Sequence, residues 1–149
     1  MEPTRDVVKV RDHQLPLLHK GEGEALLYLY GAGEIGRWTK TLEILSQSYR
    51  VLAPEHPGFG RSPRLEWIET VDDMVFYYKD FLHALQLEKV HLMGSSIGGW
   101  IAPEFATRYP ERLKSLILVD AAGIRVPGHP YADVFRLSPE ELTPLRFYN

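Results

Sequence analysis

The chain has 149 residues, of which 44% are hydrophobic and 25% are charged, the balance of one soluble globular domain. Its formal net charge of -3 gives no electrostatic basis for a nucleic-acid partner or an anionic membrane surface. The absence of cysteine excludes disulfides, a thiolate nucleophile and Cys-ligated metals. Residues 1–6 are too charged for a signal peptide, and no apolar run is long enough to span a bilayer. A cytoplasmic location is therefore expected.

The N-terminal third predicts strands that lead into a glycine-rich loop. Residues 7–10 and 15–19 are typical of short, partly exposed strands, which we expect to form an antiparallel pair. Residues 25–30 are apolar on both faces, which indicates a buried strand. The glycine-rich loop 31–36 follows this strand and leads into a predicted helix over residues 38–45.

The middle of the chain predicts a further strand, a rigid loop and a long helix. Residues 50–54 predict the strand, and the loop 55–63 that follows is too rich in proline and glycine for a helix. From Thr70 to Leu85 the apolar residues recur on one helical face. Thr70 and Asp73 predict a capping box at the start of this helix.

The last third predicts two strands and two helices, with a proline- and glycine-containing stretch before the second helix. Residues 89–93 predict a strand that runs into a tight turn, and a helix extends from that turn to about Tyr109. Pro103 predicts a kink or loose first turns in this helix, because proline has no N–H to donate. Residues 116–119 predict one more buried strand, and Ser138 predicts a helix start beyond a proline- and glycine-containing stretch. Together these alternating elements predict an α/β fold with a mostly parallel sheet.

The first glycine loop fits a dinucleotide-binding fingerprint. Gly31, Gly33 and Gly36 have the G-x-G-x-x-G spacing between a strand and a helix, and Glu55 ends the next strand. In this hypothesis backbone N–H groups at the helix N-terminus hold a pyrophosphate, and the carboxylate accepts from ribose hydroxyls. Against it, two strands precede the fingerprint, and the proline- and glycine-rich loop after Glu55 has no role. Dinucleotide binding therefore stays the less favoured alternative.

The second glycine loop predicts a nucleophilic serine. Gly94, Ser96 and Gly98 fit G-x-S-x-G between a strand and a helix, a spacing that places the serine on a strained turn above the sheet. The N–H of Ile97, at the helix N-terminus, then points to where an oxyanion would form. A second oxyanion donor is expected in the loop after an earlier buried strand, where the first glycine loop lies. In isolation, a serine at this spacing is equally compatible with an ordinary turn.

The chain resembles the α/β-hydrolase superfamily through three motifs in the family's order and rough spacing. These are residues 29–34, 57–62 and 94–99. The resemblance covers residues 5–149 and implies a three-layer α/β-hydrolase-like fold with a mostly parallel sheet. It also implies a small-molecule ester or acyl substrate, an acyl-enzyme intermediate, and no metal or organic cofactor. Hydrolysis of a carbon–carbon bond in a diketone-like substrate stays open.

The resemblance assigns roles to individual residues. Ser96 corresponds to the nucleophile, and the N–H groups of Ile97 and of Ala32 or Gly33 correspond to the oxyanion hole. Tyr30 stands where the family commonly has a histidine before the glycine, so the hydrogen bond that orients this loop is expected to differ. The backbone donors themselves are unaffected by that change.

The resemblance further implies eight strands, with the acid and the base of the triad after strands seven and eight. Six strands are counted, so the chain is expected to be truncated after the sixth strand. Residues 1–122 would be the N-terminal part of the core domain, and 123–149 the start of a cap. Within the chain, Asp120 is a candidate acid, and His56 and His129 are weaker candidates for the base.

Two further expectations follow from the missing strands. The outer edge of the strand at residues 116–119 is expected to self-associate or to assemble with a C-terminal segment. The competing class of function is a non-catalytic fragment or binding module, which would keep the turn at Ser96 but lack the base.

Overall fold

The computed structural model describes residues 2–128 and 136–146, and six strands of this part form one mixed sheet. The strands are β1 (Thr4–Val10), β2 (His13–Lys20), β3 (Ala25–Leu29), β4 (Arg50–Pro54), β5 (Val90–Ser95) and β6 (Leu113–Val119). Their spatial order is β1-β2-β4-β3-β5-β6. β3 is parallel to β4 and β5, β5 is parallel to β6, and β2 is antiparallel to β1 and β4. The predicted antiparallel opening pair and mostly parallel sheet are confirmed.

Four α-helices lie in the described residues. They are α1 (Lys40–Leu45), α2 (Val71–Ala84), α3 (Ile97–Arg108) and α4 (Pro139–Arg146). α1 begins later than predicted, because the Thr39 side chain caps it by accepting from the Leu42 N–H. α2 begins with the predicted reciprocal capping box between Thr70 and Asp73. Within residues 2–128 and 136–146, no helix combines the length and apolarity needed to cross a membrane.

β3 lies at the centre of the sheet, buried on both faces. Leu27 and Leu29 pack in one apolar cluster with side chains of α2 and α3. Leu26 and Tyr28 pack in a second cluster with Leu42 of α1. Because successive strand residues point to opposite faces, these two clusters define the three layers of the fold. Parallel packing also places the carboxyl ends of β3, β4 and β5 at one edge.

β6 lies at the edge of the sheet, where β5 is its one neighbour among the described strands. Its side chains Leu116, Ile117, Leu118 and Val119 are 37% to 41% exposed. The prediction that this strand is buried is therefore wrong for the described residues, because nothing described covers its outer side. The expected exposed edge is present.

α3 continues through Pro103 as a single helix. Its first turn is closed by the Trp100 N–H, which donates to the Ser96 carbonyl at 3.1 Å. The predicted loosening of the first turns is therefore not found, because this turn precedes the position at which the proline lacks its N–H.

Candidate active site

Ser96 lies in a sharp turn between β5 and α3, with φ of 50° and ψ of -112°. A positive φ is uncommon for a residue that carries a Cβ, so this conformation is strained. Two hydrogen bonds tie Ser96 to the end of β6 and to the segment that follows it. The Ser96 N–H donates to the Val119 carbonyl at 3.0 Å, and the Ser96 carbonyl accepts from the Ala122 N–H at 2.9 Å. The turn has the strained geometry that the G-x-S-x-G spacing predicts.

The glycines around this turn are required by close backbone contacts. A Cβ built on Gly94 would lie 2.2 Å from the Gly98 carbonyl oxygen. A Cβ on Gly98 would lie 2.1 Å from the Leu29 carbonyl oxygen, and one on Gly99 would lie 2.7 Å from the Ala121 Cα. Because such distances are closer than van der Waals contact allows, only glycine lets α3 approach the strand ends this closely.

The first glycine loop lies directly beside Ser96. A Cβ on Gly31 would lie 3.2 Å from the Ser96 Cβ. The Gly98 N–H donates to the Tyr30 carbonyl at 3.2 Å, and the Glu34 N–H closes the loop by donating to the Gly31 carbonyl at 3.0 Å. The two glycine loops therefore meet at one place, as the hydrolase hypothesis expects.

Unpaired main-chain donors occur on both segments that flank Ser96. The N–H groups of Ala32, Gly33 and Ile97 have no acceptor in the described part of the chain. Ala32 and Gly33 are exposed, and Ile97 is the first residue of α3. The N-terminus of a helix carries partial positive charge, so these donors suit an oxygen that becomes negative.

Two tyrosines from β3 and its end fix the first glycine loop. The Tyr30 hydroxyl donates to the Arg37 carbonyl at 2.9 Å, and the Tyr28 hydroxyl donates to Glu34 Oε2 at 3.1 Å. Burial raises the pKa of both phenols, that of Tyr28 to about 12, so both stay protonated donors. Tyr30, which stands where the family commonly has a histidine, therefore anchors this loop through its own hydroxyl.

His56 is fully buried, and both of its ring nitrogens are occupied. Nε2 lies 2.9 Å from the Tyr30 carbonyl oxygen, and Nδ1 contacts the Tyr78 hydroxyl of α2. Because a carbonyl only accepts, Nε2 carries the proton and Nδ1 accepts from Tyr78. Burial lowers the pKa of His56 to about 4, which keeps the ring neutral. Neither nitrogen is free to take a proton from Ser96, so the structure gives the base assignment no support.

The other two candidate triad residues have different outcomes. Asp120 follows β6 with φ of 46° and is exposed. It lies near the turn, since the preceding residue Val119 accepts from the Ser96 N–H. Asp120 stays the candidate acid. His129 lies outside the described residues.

Glu55, the acidic residue of the dinucleotide hypothesis, is enclosed and only 1% exposed. Its Oε1 accepts from Nε and a terminal nitrogen of Arg61 at 2.9 and 2.7 Å, and Oε2 accepts from the Arg61 N–H at 2.5 Å. A Cβ on Gly36 would lie 2.9 Å from Oε1, and one on Gly60 would lie 2.4 Å from Oε2. The carboxylate therefore joins two loops of this chain and is not available to ribose hydroxyls.

An apolar cavity of about 390 Å³ opens beside the N-terminus of α3. Its apolar lining residues include Phe59, Leu65, Ile68, Met74, Ile97 and Ile101. Because Ile97 directly follows Ser96, the cavity can receive an apolar group of a molecule bound at the turn. The helical periodicity placed Met74 on a buried face but gave no sign of a cavity.

The residues around Ser96 combine a strained serine turn with unpaired backbone donors on a mostly parallel sheet. Residues 24–139 match the family model described as alpha/beta hydrolase fold. The chain belongs to the alpha/beta hydrolase family.

Several named hydrolases are similar to this chain. It is 34% identical over 109 residues to 2-hydroxy-6-oxo-2,4-heptadienoate hydrolase of Pseudomonas putida. That match covers 70% of this chain and 40% of the relative. It is 36% identical over 112 residues to 2-hydroxymuconate semialdehyde hydrolase of a Pseudomonas species. That match covers 72% of this chain and 40% of the relative. The crystal structure of naproxen esterase from Bacillus subtilis superposes with a TM-score of 0.78 at 26% identity, covering 86% of this chain and 46% of that one. The chain thus spans about two fifths of the length of these curated relatives.

Proposed function

We propose that Ser96 is the nucleophile of a serine hydrolase that cleaves an ester or related acyl bond. The observation that carries this proposal is the strained position of Ser96 between two segments with unpaired N–H groups. These donors, from Ile97 and from Ala32 or Gly33, would stabilise the carbonyl oxygen as attack makes it negative. No step of this chemistry requires a metal ion or an organic cofactor.

The proposed reaction has two steps. In the first, a bond forms between Ser96 Oγ and the acyl carbon, the Oγ proton passes to a base, and the bond to the leaving group breaks as that group takes up the proton. In the second, water attacks the acyl-enzyme and releases the acid, while Oγ regains its proton. His13, His56 and His91 have both ring nitrogens bonded elsewhere, so none of them is poised as the base. His129 stays the candidate base within the chain.

The cavity beside Ile97 favours a substrate with an apolar group next to the scissile bond, because its lining is mainly aliphatic and aromatic. Arg64 and Glu69 add one charge of each sign to the lining. We therefore propose an ester with an apolar group next to the scissile bond as the substrate class.

Carbon–carbon bond hydrolysis is the second candidate function. Its supporting observation is that the two Pseudomonas relatives are named as hydrolases of 2-hydroxy-6-oxo-2,4-heptadienoate and of 2-hydroxymuconate semialdehyde. Hydrolysis of 2-hydroxy-6-oxo-2,4-heptadienoate by this chain, together with no hydrolysis of a nitrophenyl ester, would favour this second function.

The proposal is tested by labelling with a fluorophosphonate, which reacts with activated serines. The wild-type chain should be labelled, and Ser96→Ala should not. Ser48→Ala is the matched control, because it removes an exposed hydroxyl that precedes β4 and lies away from the turn, so it should leave labelling intact. Equal labelling of wild type and Ser96→Ala would remove Ser96 from the mechanism. Absence of labelling from every variant would favour the non-catalytic fragment or binding module that lacks the base.

A further inference from the structure

The carbonyl oxygen of Tyr30 accepts two hydrogen bonds at the centre of the candidate site. One comes from Nε2 of His56 at 2.9 Å, and the other comes from the main-chain N–H of Gly98 at 3.2 Å. A backbone carbonyl has two lone pairs, so these two donors saturate it. The direction of this carbonyl is therefore fixed by groups from two separate segments, the loop after β4 and the first turn of α3.

The same peptide group connects both sets of candidate oxyanion donors. The Tyr30 carbonyl belongs to the peptide that joins Tyr30 to Gly31, and so sets how the chain enters the loop with Ala32 and Gly33. Its bond to Gly98 ties that peptide to the turn of α3 that begins with Ile97. A rotation of this one peptide would move the donors on both sides of Ser96.

We infer that His56 is a positioning residue, which holds the Tyr30 carbonyl so that the donors on the two segments stay aligned around Ser96. This inference rests on the proposed function. The ring of His56 is itself held, because its Nδ1 accepts from the Tyr78 hydroxyl. The ring also packs edge-on against Phe59, with 6.0 Å between the two ring centroids. Burial of both His56 and Tyr78 keeps water from replacing these bonds.

His13 provides a matched control within the same chain. Its Nδ1 lies 2.7 Å from the Tyr77 hydroxyl, and its Nε2 lies 3.0 Å from the Pro63 carbonyl oxygen. His13 is also buried, and so bridges a tyrosine of α2 and a backbone carbonyl just as His56 does. The carbonyl it holds is in the loop after β4 rather than beside Ser96. Loss of His13 therefore removes similar buried hydrogen bonds without affecting Tyr30.

The test measures fluorophosphonate inactivation over a concentration series, which separates the limiting rate constant from the affinity for the probe. His56→Phe should lower the limiting rate constant about tenfold with the affinity unchanged, because misaligned donors stabilise the transition state less. His56→Gln should recover most of the rate, since its amide can donate to the Tyr30 carbonyl. His13→Phe should keep the wild-type rate. A wild-type rate in His56→Phe, or an equal loss in His56→Gln, would overturn the inference.

A second measurement on the same variants separates this inference from the proposed function. Hydrogen exchange of the Gly98 amide should be faster in His56→Phe than in His56→Gln or His13→Phe, because the acceptor of that amide is no longer fixed. Equal exchange in all three would overturn the inference even if Ser96 reacts. If the wild-type chain is not labelled at all, the proposed function fails, and the Gly98 exchange alone decides the role of His56.

Discussion

Gly98 and Leu29 approach each other so closely that a Cβ built on Gly98 would lie 2.1 Å from the Leu29 carbonyl oxygen. Gly98→Ala should therefore lower the free energy of unfolding by about 3 kcal/mol, because backbone must move to admit the methyl group. Urea unfolding measures this change. Gly33→Ala is the control, since a Cβ there meets nothing within 4 Å. Similar stabilities for the two variants would show that α3 does not pack on the end of β3 as described.

The enclosed carboxylate of Glu55 should matter for stability rather than for ligand binding. Glu55→Gln is expected to lower the free energy of unfolding by about 1 to 2 kcal/mol, because the neutral amide weakens the hydrogen bonds that the buried carboxylate accepts from Arg61. Glu66→Gln, at an exposed position, should change it little. NAD should not raise the melting temperature of the wild-type chain. A clear rise with NAD would restore the dinucleotide hypothesis.

His56 should make stability depend on pH. Its pKa is about 4 in the folded chain against an ordinary value of 6.5, because burial disfavours the charged ring. As the pH falls, the unfolded chain therefore binds this proton first. The stabilising contribution is fully present above pH 6.5 and is lost as the pH falls towards 4, a loss on the order of 3 kcal/mol.

The measurement for this prediction is the difference in unfolding free energy between wild type and His56→Gln across that pH range. Subtraction removes the carboxylates, which titrate in both proteins. The difference should shrink as the pH falls from 6.5 to 4. A difference that is constant with pH would mean that His56 is not held neutral by burial.

The exposed edge at β6 should lead the chain to self-associate. Unpaired backbone groups and four exposed apolar side chains favour strand pairing between copies. Ile117→Lys should shift the sedimentation profile towards the monomer, because a charge on the edge opposes pairing. Ile44→Lys is the control, as this exposed residue lies on α1 and away from the edge. An equal shift in both variants would indicate non-specific association instead.

The sequence predicted the parts of the fold that depend on local patterns. The continuous apolar run of β3 indicated a strand buried on both faces, and the spacing of Gly94 and Gly98 indicated the turn at Ser96. The start of β6 was missed, because Lys114 and Ser115 interrupt the apolar pattern. Lys114 pairs with Glu24, and Ser115 contacts His91, so contacts distant in sequence extend the strand.

The surroundings of His56 could not be predicted in the same way. Its position after a strand placed it at the reactive edge, which made it a candidate base. Its two partners, Tyr30 and Tyr78, are 26 and 22 residues away. The contact with Tyr30 depends on the pairing of β3 with β4, and the contact with Tyr78 depends on how α2 packs on the sheet. Only the packed structure shows that both ring nitrogens are occupied.

The most direct test of the account is to find which residue becomes acylated by nitrophenyl acetate. Rapid acid quenching followed by peptide mapping should place one acetyl group on Ser96, because attack by Oγ forms the acyl-enzyme. Ser96→Ala should lose that acetyl group while its unfolding free energy stays near that of wild type. Acetylation of the wild-type chain only at lysines or other residues, unchanged in Ser96→Ala, would contradict the assignment of Ser96 as the nucleophile.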